Sequence, residues 1–554
     1  MMARLLLALL WLLLSRPVIA QDAMRPALLL TGRTEALYLS GRWTYSKDLY
    51  RTGLNDINGW FAKSRMQRHR DIDIATQEAK GGTGFFEFDL DRGPAVEIPG
   101  AWNTAAQELR YYDGLIWFQR KFDAAPKPGQ RSFLRFEAVN YGAHIYLNGK
   151  EVGRHEGGFT PLVLEVTGQL RASDNRLVVG ADSRLDGQTI PGEITDWDLY
   201  GGITRQVKLI HTPPTFIDDA TLRLTEVGHL SGSLQLNAPQ AANQMARIHI
   251  AGLSLQVDAR TDAQGGARFD LAAPAALQRW SPETPTPYKV EFSACSDRIQ
   301  DRIGLRTRAI KGSEILLNGN PIFLRGVSLH EEELGANPAR RIDTAAARAL
   351  LTEVKQSLNG NYVRLAHYPH SETMLRLTDE LGLLVWSEFP VYWTVDWDNP
   401  AVLQKARTMQ AETLYRNRAA LVLWGIGNET PVAENRTRFH AALAADKPLI
   451  ASEFGADALA GHHDSGSPPR KWSEEFQSHY YRATLRTLAT SPNLRGMSPW
   501  VLKDFRSPRR EHPIFQNGWN RKGLLSETGQ RKLAFEVLAK PFEVLAKHYR
   551  EISL

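Results

Sequence analysis

Cysteine is almost absent: Cys295 is the one thiol in 554 residues, so no disulfide within the chain braces the fold. Beyond the N-terminus there is no apolar run near the roughly 20 residues that span a bilayer, which predicts no stable membrane insertion. No Gly-x-Gly-x-x-Gly turn follows a strand-like run, so a dinucleotide fold has no support. His330-Glu331-Glu332 lacks the His-Glu-x-x-His spacing of a zinc helix, and no metal site is expected. No Gly-x-Ser-x-Gly elbow favours a serine hydrolase. The net charge is only +6, and the densest basic cluster, Arg506-Ser507-Pro508-Arg509-Arg510, is short and broken by proline. Nucleic-acid binding needs a broader basic face and is not expected.

What is present divides along the chain. Arg4, the apolar run Leu5 to Leu14 and a small residue at Ala20 read as a signal peptide over 1–20, which predicts an exported, periplasmic or extracellular protein. Export without disulfides fits a bacterial compartment. Residues 21–212 carry many short strand patterns with turns between them. Ala143–Leu147 followed by Asn148-Gly149 is a hairpin signal, and the whole predicts a jelly-roll sandwich. His211-Thr212-Pro213-Pro214 marks a boundary, and 213–308 has the length and strand content of a second, immunoglobulin-like sandwich.

From 309 to 554 apolar strands alternate with amphipathic helices, the pattern of a parallel sheet covered by helices. Strands are expected at Ile322–Val327, Tyr362–Leu365, Leu383–Trp386, Leu421–Trp424, Leu449–Ser452 and Gly496–Trp500, with helices between them such as Glu434 to Ala445. A (β/α) barrel is the expected fold and an open α/β sheet its alternative. Polar groups gather where these strands end: His330, Arg364 and His367, Glu388, Asn428-Glu429, Glu453, Trp500. Two carboxylates at the mouth of one barrel, Glu429 and Glu453, are the equipment for glycosidic bond cleavage, with capping or loop ion pairs as the structural alternative. Fourteen Trp residues suit pyranose faces but serve equally as core.

Further motifs carry a resemblance over nearly all of residues 21–554. They include Ile98-Pro99-Gly100-Ala101-Trp102-Asn103, Tyr200-Gly201-Gly202-Ile203-Thr204-Arg205, Arg325-Gly326, His330-Glu331 and Arg364-Leu365-Ala366-His367-Tyr368-Pro369. With Asn428-Glu429 and Glu453-Phe454-Gly455, they resemble glycoside hydrolase family 2, which holds β-galactosidases, β-mannosidases and β-glucuronidases. The resemblance implies Glu429 as acid/base, Glu453 as nucleophile and Asn428 on the sugar 2-hydroxyl. It also implies a sugar subsite shaped by His330, His367 and Trp500, and no cofactor. Asn520-Arg521-Lys522-Gly523 resembles the Asn-x-Lys pair with which β-glucuronidases hold the C6 carboxylate, and Asp196 matches a jelly-roll aspartate that reaches their sugar site.

The implied activity is retaining, exo-acting release of a terminal β-linked uronic acid from a glycan. A β-galacturonidase, a β-galactosidase and a catalytically impaired glycan-binding protein are the alternatives, and a homo-oligomer is left open. One departure stands out. A closed barrel has eight strands, six are legible, and Glu453 comes only 24 positions after Glu429. The fifth and sixth strands are therefore expected to be missing.

Overall fold

The computed structural model describes residues 36–51, 90–237, 241–336, 343–393, 396, 399–412, 417–425, 427–429 and 448–553. The expected signal peptide and the expected helix Glu434–Ala445 lie outside them.

The first unit packs two antiparallel sheets face to face. One has the order Ala36–Tyr38, Val207–Thr212, Arg131–Phe136, Leu162–Glu165. The other runs Ala95–Ile98, Gly41–Asp48, Leu115–Phe122, Asn175–Asp182, Gly142–Leu147, Lys150–Glu156. Inward residues such as Trp43, Phe118, Leu134, Phe136, Ile145 and Val179 form the core between them. Asn148 and Gly149 turn the last hairpin with φ of 53° and 83°, the left-handed pair that matches the twist of the flanking strands. A second sandwich follows, with a three-stranded sheet (Phe216–Leu224, His229–Asn237, Gly266–Ala272) against a four-stranded one. His229–Asn237 alternates buried and half-buried residues along its whole length, as a strand with one face in the core must.

The C-terminal unit contains, among the described residues, six parallel strands: β1 (Leu324–Leu329), β2 (Tyr362–Leu365), β3 (Leu384–Glu388), β4 (Leu421–Gly425), β5 (Leu449–Ala451) and β6 (Leu494–Met497). The six expected strands are all there, with ends shifted by at most three residues. Helices α1 (Thr344–Thr352), α2 (Glu372–Leu381), α3 (Pro400–Glu412), α4 (Glu474–Leu488) and α5 (Leu533–Ser553) accompany them. Side chains of Asp343, Ser371 and Ser473 accept from backbone N–H groups in the first turns of α1, α2 and α4, satisfying donors that a helix start leaves open. Among the described residues, no helix is long and apolar enough to cross a membrane.

The strand order is β4-β3-β2-β1-β6-β5. This is the order of an eight-stranded barrel opened between its fourth and seventh strands, so β4 and β5 are the two edges. The sheet nonetheless curls. Arg364 on β2 bonds to Asn428, beyond β4, and to Glu453, beyond β5, which brings both edges around one side chain. Edge strands expose unpaired backbone groups. Along β4 two arginines meet that need: Arg306 donates to the carbonyls of Ala419 and Leu421 at 2.9 and 2.7 Å, and Arg308 donates to that of Val422.

Buried ion pairs dock the first sandwich on the strand ends of the half-barrel. Arg205 meets Glu331 at 2.6 Å, and Glu332 accepts from Tyr200 and, at 2.7 Å, from Lys503. Burial pushes the Glu331 carboxyl up, but Arg205 and His370 outweigh it and hold it below the usual carboxylate range. Glu331 and Glu332, prominent at a strand end in the sequence, are thus domain-joining groups.

Candidate active site

A cavity of about 340 Å³ opens at the carboxyl ends of the strands and is closed on one side by the loop Ile194–Trp197 of the first sandwich. Glu429 and Glu453 both line it. They come from opposite edges of the sheet, Glu429 four residues beyond β4 and Glu453 two beyond β5. Curling of the six strands therefore sets their meeting, although among the described residues neither edge pairs with the other.

Arg364 organises the floor. It is 2% exposed, and its donors go in four directions: Glu388 Oε1 at 2.7 Å, Glu453 Oε2 at 2.7 Å, Asn428 Oδ1 at 2.7 Å and the Ser452 carbonyl at 2.9 Å. A planar five-donor fork serves such a set where a lysine could not. Glu388 also meets His367 Nδ1 at 3.0 Å. Burial alone would raise the Glu388 carboxyl, but Arg364 and then His367 hold it below its ordinary range. His367 in turn stacks on Trp500, with centroids 4.6 Å apart and planes 20° from parallel.

The acceptor side of Asn428 is thereby committed to Arg364, while its buried amide nitrogen has no partner among the described residues. Glu429 is held from the loop after β3. Tyr392 Oη donates to its Oε2 at 3.0 Å and Trp393 Nε1 donates to the same oxygen at 3.1 Å. The two loops are also joined by backbone bonds, Asn428 N to the Val391 carbonyl at 2.8 Å and Trp393 N to that of Asn428 at 3.3 Å. Glu429 and Trp393 both adopt left-handed backbone, with φ of 47° and 53°, a conformation that costs a non-glycine residue free energy and gathers at functional sites. Burial, reinforced by Glu429, raises the Tyr392 phenol, so it stays a donor.

A basic wall completes the cavity. Asp196 is surrounded by donors: Arg510 Nε and Nη2 at 2.9 and 2.6 Å, Ser507 Oγ at 3.0 Å and Asn520 Nδ2 at 3.1 Å. Arg510 is thereby matched by a carboxylate. Lys522 and Arg509 line the same cavity with no carboxylate within 4 Å among the described residues.

Of the ten residues singled out in the sequence, Glu429, Glu453, Asn428, His367, Trp500, Asp196 and Lys522 line the cavity. Three do not, and each has a physical reason. Arg364 lies beneath it, bound to the groups that do. His330 is packed one layer behind, bonded to Tyr368 Oη at 3.2 Å with Trp500 and Phe505 against its ring. Asn520 is fully buried and its amide is committed to Asp196. The sequence reading missed Trp197, Tyr392, Trp393, Arg509 and Arg510. The signal for Arg509 and Arg510 is the densest basic cluster of the sequence, which faces the cavity and not a nucleic acid.

Comparison with known proteins places this geometry. "Glycosyl hydrolases family 2, sugar binding domain" matches residues 39–213, and "Glycosyl hydrolases family 2, TIM barrel domain" matches residues 308–445. A putative β-glucuronidase of Formosa agariphila is 26% identical over 70% of this chain, which spans about half (47%) of that protein. A β-glucuronidase of Paenibacillus borealis is 22% identical over 84% of this chain and 97% of its own length. The solved β-glucuronidase of Bifidobacterium dentium, complexed with coumarin-3-O-glucuronide, superposes with a TM-score of 0.76 at 22% identity, covering 92% of this chain and 97% of that one. The chain belongs to glycosyl hydrolases family 2.

Proposed function

We propose that the protein is a retaining, exo-acting glycoside hydrolase that releases a terminal β-linked uronic acid. The observation that carries this is one cavity holding two carboxylates from opposite sheet edges beside a lysine that has no carboxylate of its own among the described residues. Glu453, oriented by Arg364, attacks the anomeric carbon, and Glu429 protonates the departing oxygen. Glu429 then takes a proton from the water that releases the sugar. The free amide of Asn428 suits a ring hydroxyl. Lys522, with Arg509 near, supplies the charge that a C6 carboxylate needs. The basic start at Arg4 and the apolar run Leu5 to Leu14 are what support reading the enzyme as exported.

The test is a panel of chromogenic β-glucuronide, β-galacturonide and β-galactoside. The wild type cleaves a uronide best. In Lys522→Ala, kcat/KM on that uronide falls about 100-fold, the scale of a lost charge-assisted hydrogen bond, while the neutral galactoside is unaffected. Equal losses on all three sugars would remove the uronate assignment. The open edges β4 and β5 favour a second reading, a glycan-binding protein without turnover. Saturable uronide binding with no cleavage of any substrate would select it.

Tyr392 and Trp393 act through Glu429. Tyr392→Phe and Trp393→Phe each remove one donor and lower kcat about tenfold on alkyl glycosides, since small displacements of a reacting group are expensive. On nitrophenyl glycosides, whose leaving group needs little protonation, the loss is smaller. Equal loss on both leaving groups would rule out a role through the proton donor.

A further inference from the structure

At the opposite end of the half-barrel lies a second cleft, of about 430 Å³, between the start of β1, helix α5 and the loop Arg279–Thr284 of the second sandwich. Three arginines face it: Arg279, Arg325 and Arg550. Arg325 is 5% exposed, yet among the described residues the one acceptor of its guanidinium is the Asn359 carbonyl, 3.2 Å from Nε. No carboxylate lies within 4 Å of its guanidinium among the described residues, and Arg279 likewise has no partner there. Among the described residues, Arg550 makes only a bond from Nε to the Ala546 carbonyl in its own helix. Ser281, Thr284 and Tyr549 add hydroxyl groups to the lining, and Glu283 is its one carboxylate.

A buried cation without a counterion is unfavourable, and a protein normally compensates it. Burial pushes the Arg325 guanidinium down to about 10, with Glu283 opposing that and Arg550 adding to it. Nearby Lys355, bonded to the Pro282 and Gly382 carbonyls at 2.8 and 2.9 Å, brings more positive charge to the same loop. Guanidinium forks converging on one space, with hydroxyl donors around them, fit the oxygens of a tetrahedral anion. We propose that this cleft binds an oxyanion of the phosphate or sulfate class, free or as an ester, at a site separate from the catalytic cavity. The anion supplies the charge that Arg325 lacks and fastens α5 to the second sandwich.

Titration calorimetry of the whole chain with inorganic phosphate, sulfate and acetate, at ionic strength matched with chloride, tests this. Phosphate or sulfate binds saturably at one site and acetate more weakly. The paired substitution Arg279→Ala with Arg550→Ala, both at exposed positions, weakens binding at least about tenfold. Glu283→Gln tightens it by removing like charge. Lys522→Ala leaves it unchanged. The proposal is overturned if no saturable binding occurs, if the arginine pair variant binds as the wild type does, if Glu283→Gln weakens binding, or if Lys522→Ala abolishes it. The last result would put the anion in the catalytic cavity instead.

Discussion

Glu453→Gln is expected to lower kcat on the best uronide by at least about 10⁴-fold, the scale seen when a nucleophile is removed from a cooperating set, while the protein keeps its fold. The side chain is nearly isosteric, and Arg364 still has Glu388, Asn428 and the Ser452 carbonyl as partners, so the floor of the cavity survives. The neutral amide cannot form the glycosyl ester. A 2-fluoro uronosyl fluoride should therefore add one sugar mass to the wild type, on Glu453, and none to the variant. Glu429→Gln should behave differently: a large loss on alkyl glycosides, a smaller one on nitrophenyl glycosides, and a labelled intermediate that persists because no base activates water. Turnover in Glu453→Gln within tenfold of wild type, or label on another residue, would end the assignment of nucleophile.

These results bear on the open barrel. Closure of eight strands normally fixes tilt and shear together, and here the carboxylates stand just beyond two strands that are the edges among the described residues. Their relation depends on Arg364 reaching both ends of the curl and on bonds between the loops after β3 and β4. The half-barrel also has to satisfy its own edges, which Arg306 and Arg308 do along β4. Enzymatic turnover at ordinary rates would show that these local ties replace what closure supplies elsewhere.

The strands and the two glutamates were legible because buried parallel strands leave unbroken apolar runs, and a charged residue directly after such a run is conspicuous. Strand-end logic reached Glu388 on β3 but stopped there, whereas Tyr392 and Trp393, which hold Glu429, come just after it in a loop with no periodic pattern. Asp196 and Arg510 show a different limit. Their ion pair spans 314 positions, and nothing local to either residue indicates that one neutralises the other. The same blindness hid the burial of Asn520 against Asp196. Motif spacing placed the Asn-x-Lys pair at the site, but which side chain faces the cavity depends on packing between domains. His330 was misplaced by packing within the half-barrel itself: its position after β1 is right for the cavity, yet Trp500 and Phe505 fill the space in front of it.

Arg364→Met should be the most damaging single change for stability and activity together. Methionine keeps much of the buried volume and removes all four donations. Glu388, itself 2% exposed, then keeps the hydrogen bond with His367 but loses its guanidinium, and breaking a buried pair in this way costs about 3–5 kcal/mol. Turnover should fall about 1000-fold or more, because Glu453 and Asn428 lose the group that orients them. Arg364→Lys rescues only part of either loss, since one ammonium cannot serve donors in four directions. The pH dependence gives the sign. In the wild type the depressed Glu388 carboxyl contributes stability that is full above the ordinary carboxylate range and is lost as pH falls through its folded-state value. Without Arg364, His367 alone opposes burial, and the balance at Glu388 shifts toward its protonated form. The deficit of Arg364→Met against wild type in urea denaturation should therefore be largest near neutral pH and shrink toward acid pH. Combining it with Glu388→Gln should restore part of the stability at neutral pH and none of the turnover. A deficit independent of pH, or one that the second substitution deepens, would mean that Arg364 stabilises the half-barrel by packing and not by neutralising Glu388.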